Sequence, residues 1–425
     1  MHKYVAAVMI FYLLNFSTVL SADTFSRSIG TLNQDCESEH SLIVVRASDL
    51  PSLLGKPTEH ITLWRYQNQV LVPIRSQIDR RDSQKRYLLE DTSAATGSQA
   101  PPLSANDEIV FRLADAGAQR LSTPPLEQRE IRAEIQVTHP RSEQPHWVYA
   151  KVSTTEKSAA PVAGLVRYQA ETDTVATDLY QVSFNARHPF LIDDFRWRLT
   201  GKQDYSPNVL DSMKIQHTGN MFGFIPFKRT GSDYSSELTL VKLGPLRTIR
   251  RTENRVHVLW YLKTPKLYID YVMMPDSLVM DTIIDIPFKM GLFFDQVETL
   301  ATVDWRKEES LPPLKIHSPG TASELLVTGQ MTAEKQNFNT VSDTRFSVRS
   351  DLGTASVHLD IPDDFPITPW LYINDDISVS SPPEHQPGQF GNVGYRTTGW
   401  ENIDTDVHHL KFTACMSSRA SSHAR

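Results

Sequence analysis

Residues 234–305 constrain this chain more than any other stretch. Apolar, β-branched runs of roughly 6–10 residues follow one another there, each closed by Pro, Gly or Asn, which is the pattern of a long antiparallel meander. In one run Val256, Val258, Trp260 and Leu262 share a face, with Arg255, His257, Leu259 and Tyr261 on the other. In the next, Leu267, Ile269, Tyr271 and Met273 alternate with Lys266, Tyr268, Asp270 and Val272. After Pro275, Leu278, Met280, Thr282, Ile284 and Ile286 alternate with Val279, Asp281, Ile283 and Asp285. Large apolar residues on both faces place these strands inside packed structure rather than at an open edge. One face also gathers His257, Asp270, Asp281 and Asp285, so period two brings ionisable groups of different types to a common surface.

The rest of the chain points to the same class. Pro (26) outnumbers Gly (18) and helical periodicity is scarce, as in a protein of many Pro-bounded strands. The expected fold is all-β, an antiparallel multi-strand sandwich or sandwiches around a large central meander. Residues 1–21 read as a secretory signal: His2 and Lys3 precede an apolar run from Tyr4 to Leu20, with small residues before a cut near Ser21 or Ala22. An uncleaved anchor is the alternative, but Asn15, Ser17 and Thr18 interrupt a run already short for a span of about 20 residues. No stable membrane span is expected after cleavage. Residues 22–155 form an expected N-terminal β-sandwich, 156–310 the central meander, and 311–425 strands that complete or extend the sandwich. Within these, 22–40 read as a polar arm and 200–236 as a loop region laid over a sheet face.

A formal charge of −7 with no basic face argues against nucleic acid as a partner. The chain has two cysteines, Cys36 and Cys415. In an oxidising compartment two lone cysteines pair, which would bring the two ends of the chain together; two buried thiols are the alternative. The absence of an Asn-x-Ser/Thr triplet in the mature region leans toward a bacterial source, with a periplasmic or secreted location.

The order Pro73-Ile74-Arg75-Ser76-Gln77-Ile78-Asp79, Asn106-Asp107-Glu108-Ile109-Val110-Phe111, Asp115-Ala116-Gly117 resembles secreted bacterial β-sandwich proteins with a "PvQiD … DELVF…DAG" pattern. Gly244-Pro245-Leu246-Arg247 resembles the "GPvR" turn further along such chains. That group has no assigned chemistry, so the resemblance implies export and a fold type and no catalytic residues. This chain departs from the pattern at Arg75, Ser76 and Arg112-Leu113-Ala114.

For chemistry, the chain has no G-x-S-x-G elbow, H-E-x-x-H, Gly-rich phosphate loop or C-x-x-C. No cofactor is implied. The candidate catalytic set is His217, His257, Asp270, Tyr261 and Arg247, a His/Asp/Tyr/Arg grouping able to move a proton on a sugar if all faced one concave surface. The expected architecture is similar to the large sandwiches of the galactose-mutarotase and polysaccharide-lyase kind, an analogy of fold. His408-His409 with His385 is a weak metal candidate, because adjacent strand residues point to opposite faces. The favoured reading is a binding or assembly component at the cell envelope, on a polysaccharide or protein partner. The alternative is a polysaccharide lyase or sugar epimerase working on the polar face of the meander.

Overall fold

The computed structural model describes residues 26–29, 31–32, 36, 41–89, 101–120, 131–138, 143–154, 164–259, 262–380 and 386–418. The fold is all-β, with several antiparallel sheets and, among the described residues, one short α-helix, Ala333–Phe338.

The N-terminal part holds two sheets. One runs in the order Ser26–Ile29, Ile131–Thr138, Pro145–Val152, Ile61–Gln67, Val70–Pro73; the other runs Thr31–Leu32, Leu42–Arg46, Glu108–Arg112, Ser76–Asp79. Alternation turns Ile43, Val45, Ile109 and Phe111 from one sheet toward Ile135, Val137, Val148 and Ala150 from the other, and these share a core. The expected polar arm therefore carries two short strands. Ser26–Ile29 pairs in parallel with Ile131–Thr138, while the other pairings of these sheets are antiparallel.

The larger part is built on a ten-stranded sheet. Tyr234–Lys242, Thr248–Leu259, Leu267–Met273 and Ser277–Ile286 form a consecutive antiparallel meander, with Leu262–Lys263 folded back on the second strand. The sheet continues through Asp406–Ser417, Thr354–Asp360, Arg345–Arg349, Lys315–His317 and Leu325–Leu326. A five-stranded sheet in the order Ile225–Thr230, Leu210–Met221, Phe294–Trp305, Asn392–Thr398, Thr368–Asn374 shares its core. So does a four-stranded sheet of Arg167–Gln169, Thr174–Ala176, Tyr180–Phe184 and Ile192–Trp197.

Two expectations are corrected here. The meander does not run to Trp305: Pro287 has no N–H to extend the ladder, a 3₁₀ turn at Met290–Leu292 follows, and Phe294–Trp305 joins the five-stranded sheet instead. Residues 200–236 are not mainly loop, since Leu210–Met221 and Ile225–Thr230 are paired strands within them. Their outward positions are polar (Ser212, Lys214, Gln216, Thr218), so the apolar signal is carried by one face alone.

The Cys36–Cys415 disulfide is formed, across 379 residues and a Cα–Cα distance of 5.2 Å. It ties the N-terminal part to Asp406–Ser417 in the ten-stranded sheet. The terminal strands themselves lie in different sheets, so the bond staples two bodies rather than two neighbouring strands.

Candidate functional site

The face of the meander that gathers His257, Asp270 and Asp281 is where the N-terminal part docks. A small core of Leu42, Tyr87 and Val110 from one side meets Leu246, Ile249, Val272 and Met274 from the other. Around it runs an ion network. The Arg247 Nε donates to Asp79 at 2.8 Å and its Nη2 to Glu108 at 2.5 Å, while Lys242 reaches Asp79 at 2.7 Å. Gln77 accepts the backbone N–H groups of Leu246 and Arg247, each at 3.1 Å, and donates to the Arg247 carbonyl. Gly244 has no space for a side chain, because a Cβ would lie 2.1 Å from the Gln77 amide. Burial alone would raise the pKa of Asp79 and Glu108. The Arg247 guanidinium in both cases, with Lys242 at Asp79 and Arg81 at Glu108, overcomes this and holds them below the usual carboxylate values.

Asp270 is enclosed in the same region and takes both Arg251 nitrogens at 2.6 Å. Burial nevertheless pushes its pKa up. Asp281 accepts from His409 Nδ1 at 3.0 Å, and the other His409 nitrogen contacts the Gln84 carbonyl. Arg247 therefore ties two parts of the molecule together, Asp270 holds the Arg251 guanidinium that donates to the Tyr87 carbonyl at 2.9 Å, and both are buried rather than lining an open pocket.

His217 and His257 do not join them. His257 shares the strand face of Arg251 but lies six residues further along, on the order of 20 Å away. His217 belongs to the opposing sheet and is half-buried, bonded to Thr299 Oγ1 at 2.8 Å and Tyr234 Oη at 2.6 Å. Tyr234 pairs with Val256, and both turn to the inner core, so His217 and His257 occupy opposite faces of the large sheet. Burial pushes the His217 pKa down to about 4. Tyr261 lies outside the described residues, as does His385. His408 packs on Phe365 while His409 faces Asp281, so the adjacent pair is split between two faces.

A different surface brings chemistry-bearing groups together: the outer face of the five-stranded sheet. Register sets Lys214, Thr302, Gly394 and Tyr372 in one row across it, and Gln216, Leu300, Arg396 and Trp370 in the next. Ser212, Asp304, Asn392 and Asn374 make a third row. Trp370 and Tyr372, two residues apart on one strand, stand on the same side about 7 Å from each other. Both are half-buried, and the Arg396 guanidinium lies 5.8 Å from the Trp370 ring centre. Glu298 lies 3.7 Å from Arg396.

Gly394 pairs with Tyr372, and the neighbouring strand backbone fills the space where its side chain would stand. A Cβ there would come within 2.1 Å of the Ala301 carbonyl oxygen, so the close approach of the strands excludes any side chain. At the far end of the face Lys214 donates to Asp304 at 2.7 Å, and the Phe390 and Trp305 N–H groups donate to the other Asp304 oxygen. Burial pushes the Asp304 pKa up to about 6 against the pull of Lys214. Burial also raises the Tyr372 phenol. Three buried oxygens on this face, Ser212 Oγ, Thr302 Oγ1 and Asn392 Oδ1, have no hydrogen-bond partner among the described atoms. The signals for this face were the W-L-Y alternation at 370–372 and the V-G-Y-R run at 393–396. Neither reveals that the two strands are neighbours, because the pairing is across a sequence gap.

No family model and no curated protein matches the chain. Among solved structures it is similar to an alpha-mannosidase from Enterococcus faecalis V583, at 11% identity and a TM-score of 0.45, covering 89% of this chain and 41% of that one. It is also similar to a protein in the Glycosyl Hydrolase Family 38 from Enterococcus faecalis, at 10% identity, TM-score 0.42, and 89% and 42% coverage. A third is the Slr1438 protein from Synechocystis sp. PCC 6803, at 12% identity and TM-score 0.32, covering 63% of this chain and 100% of that one. The chain spans about two fifths of the first two.

Proposed function

We propose that this protein is an exported glycan-binding module and that the outer face of the five-stranded sheet holds the sugar chain. What carries the reading is the grouping of Trp370, Tyr372 and Arg396 on one face of paired strands. A pyranose ring presents a C–H face that packs on an aromatic ring, while its hydroxyls take hydrogen bonds from planar polar groups at the rim. Trp370 and Tyr372 supply the platform; Arg396, Glu298, Gln216 and Asn374 supply the rim. The charges pair off (Lys214 with Asp304, Arg396 with Glu298), which favours an uncharged polysaccharide. The disulfide suits an oxidising compartment. The proposal also takes in membership of the secreted bacterial β-sandwich group, whose Gln77, Asp79, Glu108 and Arg247 positions meet at one docking surface.

The enzyme alternative loses support, since His217, His257, Asp270 and Arg247 do not share a cavity and Asp304 has its oxygens occupied by Lys214 and two backbone N–H groups. Affinity electrophoresis against a panel of neutral polysaccharides tests the reading, with product analysis alongside. Retention without product formation is expected, falling about tenfold in Trp370→Ala and in Tyr372→Ala and unchanged in His257→Ala. Absence of retention on every glycan, or retention indifferent to both aromatic substitutions, would sink it.

A further inference from the structure

At one end of the five-stranded sheet two loops expose aromatic side chains together. The first is the three-residue turn Phe222-Gly223-Phe224, which closes Met221 on Ile225; the second spans Phe288 to Phe293. Phe224 is 76% exposed, Leu292 68% and Phe222 54%, with Ile225 and Phe293 also counted among the exposed apolar residues. The loops touch through Phe222 and Phe293, whose ring centres are 6.1 Å apart, and Phe288 packs on Phe293 at 5.1 Å. Phe222 has a φ of 53°, in the left-handed region that bulky residues rarely enter. The turn therefore holds an aromatic outward at a conformational cost, where a small polar residue would serve a plain hairpin better.

We propose that these two loops insert into the interfacial layer of a phospholipid bilayer and moor the protein to a membrane surface. Three observations favour lipid over a protein partner. First, much of the loop backbone is paired within the protein: Phe222 N–H donates to the Phe293 carbonyl at 2.8 Å, Phe224 to Met221, Leu292 to Lys289, Phe293 to Met290 and Met290 to Ile403. Apolar surroundings demand such internal pairing. Second, the exposed apolar side chains stand on two loop tips, and a fluid interface accepts such tips without shape complementarity. Third, residues 221–227 and 286–294 contain no Asp or Glu, with exposed Asp285 and Asp295 just outside the second stretch, and the sequence Ile-Pro-Phe-Lys follows the first loop on its strand, at 225–228, and leads into the second, at 286–289. Exposed Lys228 and Lys289 thus stand at the rim, where lipid phosphates would lie. Lys289 also pairs with the exposed Asp404 at 2.9 Å, so the apolar tips supply most of the attachment and the lysines a smaller part. The first tip begins eight residues along the strand from Lys214, in the row of Tyr372, and six from Gln216, in the row of Trp370, which is roughly 20–27 Å and leaves both rings free of the bilayer.

The test is flotation of the purified protein with phosphatidylcholine vesicles, with and without a quarter phosphatidylglycerol. Wild type is expected to float with both, more with the anionic vesicles. The triple variant Phe222→Ser, Phe224→Ser, Leu292→Ser should float at least about tenfold less. All three side chains are exposed, and an unchanged melting temperature verifies the fold. A separate Phe224→Trp variant should be quenched by brominated lipid. Failure of wild type to float with either vesicle, flotation unchanged in the triple variant, or lipid-independent self-association that the triple variant abolishes would each overturn the proposal. Glycan retention is read separately, so either reading can fail alone.

Discussion

His217 and Asp304 are buried ionisable groups whose pH effects oppose one another. The His217 pKa falls from an ordinary 6.5 to about 4 on folding, so the unfolded chain takes up the proton first as pH drops. Its contribution is whole above pH 6.5 and is lost as pH falls through about 4. The Asp304 pKa rises from 3.8 to about 6, so its contribution is whole below 3.8 and is lost as pH rises through about 6. Each shift corresponds to roughly 2–3 kcal/mol by linkage, less for half-buried His217. Between pH 4 and 6 the two largely cancel. Compared with wild type, His217→Gln should therefore gain stability on going from pH 6 to pH 4. The double variant Lys214→Met, Asp304→Asn, which avoids stranding an ammonium, should lose it. Denaturant midpoints at the two pH values measure this; parallel pH slopes in all three proteins would show that neither group titrates as described.

Among the elements, what could be read from sequence depended on which faces were apolar. Ile269, Tyr271 and Met273 on one side and Val272 on the other made Leu267–Met273 legible as an interior strand. Leu210–Met221 reads as loop in the sequence because its outward row is polar and its inward row includes His217, so its alternation has the composition of a loop. The candidate face depends on strands joined late: Thr368–Asn374 pairs with Asn392–Thr398, which pairs with Phe294–Trp305 nearly a hundred residues earlier. No local pattern encodes that adjacency. His217 and His257 were grouped for the converse reason, since residue type gave no warning that they belong to different layers. Gly394 is the residue on which the arrangement of the face depends most. With Ala301 O at 2.1 Å and Thr302 Cα at 2.7 Å from a Cβ, Gly394→Ala must push apart two central strands. A loss of about 2–3 kcal/mol is expected by chemical denaturation, together with weaker glycan retention. An Ala variant as stable as wild type would mean the strands can separate cheaply there.

For the molecule as a whole, the docking of the N-terminal sandwich on the meander converts a face that looked like a site into a joint. Gln77, Asp79, Glu108, Gly244 and Arg247 are far apart in sequence and meet there. The joint has an apolar centre, a buried ion network and, some distance from it in sequence, a disulfide. Closing a loop of 379 residues restricts the unfolded chain heavily, about 6 kcal/mol by extrapolation of the chain-entropy model and less if that chain is already compact. Arg247→Met would leave Asp79 to Lys242 and Gln77, and Glu108 to Arg81 and Tyr87, with both carboxylates still enclosed. Removing one partner from such a cluster costs roughly 3–5 kcal/mol, and that cost falls on the joint, because the separate cores keep their apolar contacts. With the disulfide intact the variant should still unfold in one calorimetric transition, at a lower temperature, since the tether keeps the parts at high effective concentration. With the disulfide reduced, two transitions should separate in the variant before they do in wild type. If reduced Arg247→Met still unfolds as one unit, the coupling resides in the small apolar core around Val110 and Val272 and the ion network is secondary.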